Sequence, residues 1–387
     1  MTSKNILIIS PFFFPEPIST GKYNTDLAIE LSKKGHKVTV LCFHPFYPDW
    51  KVKSSKLNLE NIKIIRGGKN IFFTNKTFVR RLILELSFGF FILRKIREFK
   101  KNIDIIIPIF PPSFAFYFNL LFIKRQIKKI GIVHDLQEVY SSEKKGFINK
   151  CLKYFIHKVE KKCFKSCDKL IFLSNEMKSE AKYIYNLKEE KLIVQYPFIN
   201  INSKITNDLA AIFDKTKTNI VYSGALGEKQ NPNKLYEFFI QASKTNNSLN
   251  FYFFSKGVFY RKLKKQNKNP QIHFYDLVDK SNLKELYNLS DVQIVPQKEN
   301  TSKGSLPSKL PNLLASDCKV LIITDPGSEI ESIFKKHKLN DVVTSWHTNL
   351  LINALEKLIS KDVDFDHQQK IAKELFTIQS MLSEIVI

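Results

Sequence analysis

Lys4-Asn5-Ile6-Leu7-Ile8-Ile9 opens the chain, and Lys37-Val38-Thr39-Val40-Leu41-Cys42 follows about thirty residues later. The first run has four successive apolar residues and no polar alternation, as in a parallel strand buried on both faces. Between the two runs, Leu27, Ala28 and Leu31 recur at helical spacing. They predict a helix from about Lys22 to Lys34 with Gly35 closing it. Strand, helix, strand in this order is a parallel crossover unit. The same alternation continues outward through Ile62–Ile65, Ile103–Ile107, Ile130–His134, Lys169–Leu173 and Leu192–Gln195. It halts near Tyr196-Pro197. A polar stretch, Asn200 to Thr218, precedes a second series: Asn219–Tyr222, Asn250–Phe254, Ile272–Tyr275, Asp291–Val295, Lys319–Thr324 and Asp341–Thr344. The expected architecture is α/β: two Rossmann-like, doubly wound parallel-sheet domains, residues 1–200 and 201–366. Open parallel sheets bind ligands at the carboxyl ends of their strands, so two of them are expected to face each other across a cleft.

Composition narrows the function. The chain has 387 residues, 43% of them apolar and 25% charged, which excludes disorder, collagen and coiled coil as whole-chain answers. Its 61 Lys and Arg against 37 Asp and Glu leave a formal charge of +24. That favours polyanionic partners: nucleic acid, an anionic membrane or phosphorylated small molecules. Nucleic acid is set aside, because no RNP, zinc-finger or helix-turn-helix pattern occurs and the phenylalanines lie in apolar strands. The cysteines (Cys42, Cys151, Cys163, Cys167, Cys318) are odd in number. Cys163 and Cys167 have no second pair to complete a zinc site. No metal, cofactor or disulfide is expected, and the compartment is a reducing one. Residues 1–10 lack a signal-peptide pattern, and no apolar run is long enough to span a bilayer. The protein is therefore expected to be cytoplasmic, lying on a membrane if it meets one.

Four segments could carry chemistry. The loop Pro11 to Gly21 is too long for a dinucleotide fingerprint, but Ser19, Thr20 and Gly21 bring small residues to a helix N-terminus, where amides and the helix dipole attract anions. Ser223-Gly224-Ala225-Leu226-Gly227-Glu228-Lys229 follows a strand: Gly224 and Gly227 would let a ligand approach the backbone, and Lys229 would bring a charge to a diphosphate. Pro307-Ser308-Lys309-Leu310 is expected to open a helix, with Ser308 and Lys309 in its first turn. His134 and Asp135 end a strand, where they could orient a sugar hydroxyl or stabilise charge.

Together these segments resemble the GT-B glycosyltransferases of family 4, in particular the colanic-acid and O-antigen type that builds bacterial surface polysaccharides. Tyr23-Asn24-Thr25-Asp26-Leu27-Ala28, Gly35-His36-Lys37-Val38, His44-Pro45-Phe46-Tyr47-Pro48, Asp168 to Ser174 with Met177, Ser223–Gln230 and Pro307–Leu310 carry the resemblance, in order along nearly the whole chain. It implies a retaining, metal-independent transferase that takes a sugar from a nucleotide-diphosphate donor, a UDP-sugar being favoured. Lys229, Gly224, Gly227, Ser308, Lys309, Leu310 and Asn312 would hold the donor. Ser19, Thr20, Gly21 and Asp135 would hold the acceptor, with Lys229, His134 and Asp135 at the chemistry. The family's usual pair of glutamates falls here on Gly304 and Asn312. Phe198 stands in place of its asparagine, Asp317-Cys318 in place of its glycine and a small or basic residue, and Gly224-Ala225 where an arginine is common. These departures leave two alternatives open: a donor-binding protein without turnover, or a sugar-nucleotide epimerase of the same shape.

The resemblance also implies a polyprenyl-diphosphate-linked or oligosaccharide acceptor at the inner face of the cell membrane. Arg80-Arg81, the greasy run Leu82–Leu93 and Arg94-Lys95-Ile96-Arg97 suit lying on an anionic bilayer, as does Phe114–Ile123 before Lys124-Arg125. The last helix, about His367 to Ile387, is expected to pack back across the N-terminal domain.

Overall fold

Two parallel sheets account for every strand among the residues that the computed structural model describes: 2–386 apart from 17, 48, 75, 100–101, 118, 120–125, 137–146, 202–207, 303–305 and 341. The seven-stranded sheet runs β3-β2-β1-β4-β5-β6-β7. Its strands are β1 (Asn5–Ile9), β2 (Lys37–Phe43), β3 (Ile62–Gly67), β4 (Ile105–Phe110), β5 (Lys128–Val133), β6 (Lys169–Phe172) and β7 (Leu192–Val194). The six-stranded sheet runs β10-β9-β8-β11-β12-β13. It holds β8 (Thr218–Ser223), β9 (Leu249–Phe254), β10 (Ile272–Tyr275), β11 (Val292–Pro296), β12 (Lys319–Ile323) and β13 (Val342–Val343). In both, the order reverses at a central strand, which is the doubly wound pattern expected.

The largest departure among the strands is β4. It begins two residues late and runs through Pro108, which stays opposite Ile9 of β1, while pairing to β5 lapses at Ile107 and Pro108. Proline lacks the N–H that side of the ladder needs. One device recurs at the sheets' amino edges. Asp104, Asp168 and Asp291 each directly precede a strand, and each carboxylate accepts a backbone N–H from the neighbouring strand: Asn5 at 2.7 Å, Lys129 at 2.8 Å and Asn219 at 2.7 Å.

Helices cover the sheets. In chain order they are α1 (Ser19–Lys33), α2 (Thr77–Phe99), α3 (Phe114–Tyr117), α4 (Phe147–Lys165), α5 (Asn175–Tyr185), α6 (Pro232–Thr245), α7 (Val258–Gln266), α8 (Leu283–Asn288), α9 (Leu310–Leu314), α10 (Glu329–Lys336), α11 (Thr348–Ser360), α12 (Phe365–Leu375) and α13 (Ile378–Val386). α1 ends as expected: Gly35 has φ +85°, and the His36 N–H reaches back to Leu31 O. Each sheet has its own core. Leu7, Ile9, Phe88, Ile106, Phe110 and Phe172 belong to the first, and Tyr222, Phe239, Phe251, Phe253, Ile294 and Leu355 to the second. Cys42, Cys163, Cys167 and Cys318 are buried free thiols in these interiors.

The chain divides into two units: Met1–Tyr196 with Ile378–Ile387, and Pro197–Thr377. The expected terminal helix from His367 is thus two helices with different allegiances. α12 stays with the second unit, where Gln368 Nε2 donates to Ser316 O and Cys318 O at 3.2 and 3.3 Å. α13 belongs to the first: Tyr23 O–H meets Met381 Sδ at 2.9 Å, and Lys169 pairs with Glu384 at 2.7 Å.

Candidate functional site

In the second unit, two neighbouring strands end in interlocked glycine turns. β8 feeds Gly224 at φ +132°, and β9 feeds Ser255-Lys256-Gly257, with Gly257 at φ +117°. The backbone at both positions is left-handed, a conformation that only glycine adopts freely and in which a side chain would be strained. The turns are tied together: Gly224 N–H donates to Phe254 O at 3.0 Å, Ser255 Oγ donates to Gly224 O at 2.6 Å, and Leu226 N–H donates to Lys256 O at 3.2 Å. Gly227 differs from the expectation. Its backbone is extended (φ −108°, ψ −179°), and its N–H is held by Gln230 Oε1 at 3.0 Å. Lys229 stands exposed in the short turn Glu228–Gln230, and its carbonyl accepts from Lys298 N at 2.8 Å. The loops after β8 and β11 are thereby joined.

The third segment is built differently from its sequence reading. α9 starts at Leu310, not at Ser308; Lys309 is its N-cap and Ser308 precedes it, exposed. The Leu310 N–H is spent on Pro307 O and Pro311 has none, so the expected cradle of helix amides is largely consumed. Lys309 turns inward instead. Its Nζ donates to Ile294 O at 2.8 Å and Ser223 O at 3.1 Å, and it lies 4.4 Å from the centre of the Tyr222 ring. Burial pushes its ammonium down to about 7, opposed by Cys318. Asn312 Oδ1 accepts from Asn200 N at 2.7 Å, so its carboxamide ties the chain entering the unit. Gly304, the other position of the family's acidic pair, lies outside the described residues.

In the first unit, α1 begins at Ser19 rather than Lys22, with Ile18 as an N-cap that offers no side-chain bond. Ser19, Thr20 and Gly21 therefore form its first turn, where helix N–H groups point outward. Gly21 has to be small: a Cβ there would lie 3.0 Å from Glu16 Cβ. Two residues on, Tyr23 meets the His134 ring edge-on at 4.8 Å, which brings the start of α1 beside the carboxyl end of β5. His134 Nε2 is buried without a partner, and burial pushes the imidazole down to about 3, so it is neutral. Asp135 is half-buried, its carboxylate accepting from Leu136 N at 3.1 Å.

Two residues escaped the sequence reading. Glu16, between two prolines, is buried, and its carboxylate accepts from Phe46 N at 2.6 Å and Tyr47 N at 3.2 Å, fixing one strand-end loop to the next. Burial raises its carboxyl above the usual range, against those amides and Lys53 and Arg66. An acid in an otherwise apolar, proline-rich loop was the available signal. Lys256 was the other miss. A Ser-Lys-Gly directly after the largely apolar strand Leu249–Phe254 could have found it.

Comparison with solved structures shows the fold. Sucrose-phosphate synthase from Thermosynechococcus elongatus matches 98% of the chain over 97% of its own, with a TM-score of 0.73 at 13% identity. The catalytic domain of starch synthase IV from Arabidopsis thaliana, bound to ADP and acarbose, matches 99% over 98%, with a TM-score of 0.68 at 12% identity. The fold is GT-B. A third GT-B neighbour, Anabaena HepE in complex with UDP-glucose, matches 99% over 98%, with a TM-score of 0.67 at 13% identity. At the level of sequence, residues 20–203 match the model of Glycosyltransferase Family 4. Comparison with curated proteins gives no match. The family match covers just under half of the chain, from α1 to residue 203. The loops with Lys229, Lys256 and Lys309 lie beyond it. Among the described residues, no three His, Cys, Asp or Glu side chains converge as a metal site.

Proposed function

We propose that the protein is a retaining, metal-independent glycosyltransferase of family 4, of the hexosyltransferase type. It moves a sugar from a nucleotide-diphosphate donor, a UDP-sugar, to a lipid-linked or saccharide acceptor in bacterial surface polysaccharide synthesis at the inner face of the cell membrane. The observation that carries this reading is the cluster of strand-end turns in the second unit. Two left-handed glycines sit side by side there, with Lys229 in the turn that follows β8 and Lys256 in the turn that follows β9, while Lys309 beneath them binds Ser223 O and Ile294 O. Breaking a sugar–phosphate bond puts negative charge on the leaving diphosphate and oxocarbenium character on the sugar, and fixed cations stabilise the former. The family match and the GT-B neighbours, one solved with UDP-glucose and another with ADP, support the same donor class. Lys229 serves the leaving diphosphate. Ser19, Thr20, Gly21 and Asp135 take the acceptor, with the neutral His134 beside them.

The test is a thermal-shift panel of UDP, GDP, ADP, dTDP and CMP, followed by mass spectrometry of sugar transfer with the matching nucleotide sugar. A ligand at about 100 times its dissociation constant stabilises the fold by about 2.7 kcal/mol, so a UDP shift is expected to be plain. Silence across the panel would overturn the reading. A UDP shift without transfer to any saccharide or lipid-linked acceptor would favour the donor-binding alternative, which Asn312 in the place of an acidic residue and its tie to Asn200 support.

A further inference from the structure

We propose that the outward face of α2 docks on an anionic lipid bilayer, with the helix lying in the plane of the membrane. α2 is apolar on two opposite faces. The inner one, Leu84, Phe88, Ile92 and Ile96, repeats every four residues and is buried in the first unit's core, Phe88 meeting Phe43 edge-on at 5.0 Å. The outer one repeats at the same interval: Phe78, Leu82, Leu86 and Phe90 are 59, 45, 50 and 62% exposed, and Phe72 on the preceding loop is 88% exposed. At 1.5 Å per residue this is a greasy ridge about 18 Å long. A row of large apolar side chains is seldom left to water on a monomer.

Charge selects the occupant. Arg81 flanks the ridge at one end and Arg94 and Arg97 at the other, all exposed, with Arg94 5.9 Å from the Phe90 ring centre, while Arg80 turns inward onto the Trp50 ring at 4.1 Å. Of the helix's two acids, Glu98 is paired with Lys95 at 2.7 Å, and Glu85 is buried and accepts from Ala115 N. A second copy of the chain, set either way round, would bring arginines against arginines on a protein of charge +24. Anionic headgroups complement both ends, and acyl chains take the middle. The helix lies flat because its inner face is committed to the sheet. Among the described residues, no helix is long and apolar enough to cross a membrane. This surface suits the lipid-linked acceptor proposed above, yet it rests on α2 alone and is tested without turnover.

The experiment is flotation of the full chain with phosphatidylglycerol–phosphatidylethanolamine vesicles and with phosphatidylcholine vesicles, alongside the L82S/L86S/F90S and R81Q/R94Q/R97Q variants. Binding to the anionic vesicles only is expected, reduced about tenfold or more in each triple variant. Unaltered thermal midpoints and an intact UDP shift in the variants separate this result from failure of the fold or of the donor site. The proposal is overturned if the chain ignores anionic vesicles, or if both triple variants float like the parent. A dimer that L82S/L86S/F90S converts to monomer would also overturn it.

Discussion

Lys229 and Lys309 are both lysines of loops in the second unit, and they answer to different physics. Lys229 is exposed, so truncating it costs the fold little. Lys229→Ala is expected to weaken UDP binding about tenfold or more, a charged hydrogen bond being worth roughly 1.5–3 kcal/mol, with the thermal midpoint unmoved. Lys309 holds two backbone carbonyls of different strands. Lys309→Ala leaves both without that partner and is expected to lower unfolding free energy in urea by about 1–3 kcal/mol. Equal stability of the two variants would contradict this division. His134 gives a pH signature. Its folded value near 3 lies below the unfolded 6.5, so the unfolded chain takes up the proton first. Its contribution is complete above pH 6.5 and is lost as pH falls from 6.5 toward 3. At 1.36 kcal/mol per unit, about 2 kcal/mol goes by pH 5. His134→Gln should flatten that acid limb in thermal melts between pH 7 and pH 5; an unchanged slope would show that the imidazole charges freely in the folded state.

Among the elements, α13 shows most clearly how a short segment can be indispensable. Met381, Leu382 and Ile385 are each at most 1% exposed within the first unit, and Ser380 Oγ donates to Gln195 Oε1 at 2.6 Å. Losing buried side chains of this size costs about 2–5 kcal/mol apiece, against a total stability of about 5–15 kcal/mol. A chain ending at Thr377 is therefore expected to lose the cooperative melt and near-UV circular dichroism of its first unit. A truncate that keeps both would refute the role. The sequence reading, which began the returning helix at His367, overestimated the segment because α12 and α13 are both amphipathic. Only their partners differ.

At the scale of the whole molecule, two sheets with separate cores imply two units of unfolding. Calorimetry is expected to resolve two transitions, with UDP raising the one that belongs to residues 197–377. A single transition that moves as a whole would show that the cores unfold as one. The charge of +24 acts at this scale too, favouring phosphorylated ligands and anionic surfaces without specifying either.

What the sequence determined by itself was the order and kind of the elements, because strand and helix periodicity are written in neighbouring residues. The two parallel series and the break near residue 197 were legible for that reason. So were the Gly35 stop of α1 and the place of His134-Asp135 at a strand end. The helix starts were less so. α1 opens on Ile18 with no side-chain cap, and α9 opens after a proline-bearing turn, so local cues misplaced both. Tertiary structure alone decided that Lys309 would turn down onto Ser223 and Ile294, that Asn312 would hold Asn200, and which apolar face of α2 would be buried. Those outcomes depend on atoms brought together from distant parts of the chain, 86 and 112 residues apart for Lys309–Ser223 and Asn312–Asn200. Such pairs exist only once the backbone hydrogen bonds of the sheets have fixed the strand order.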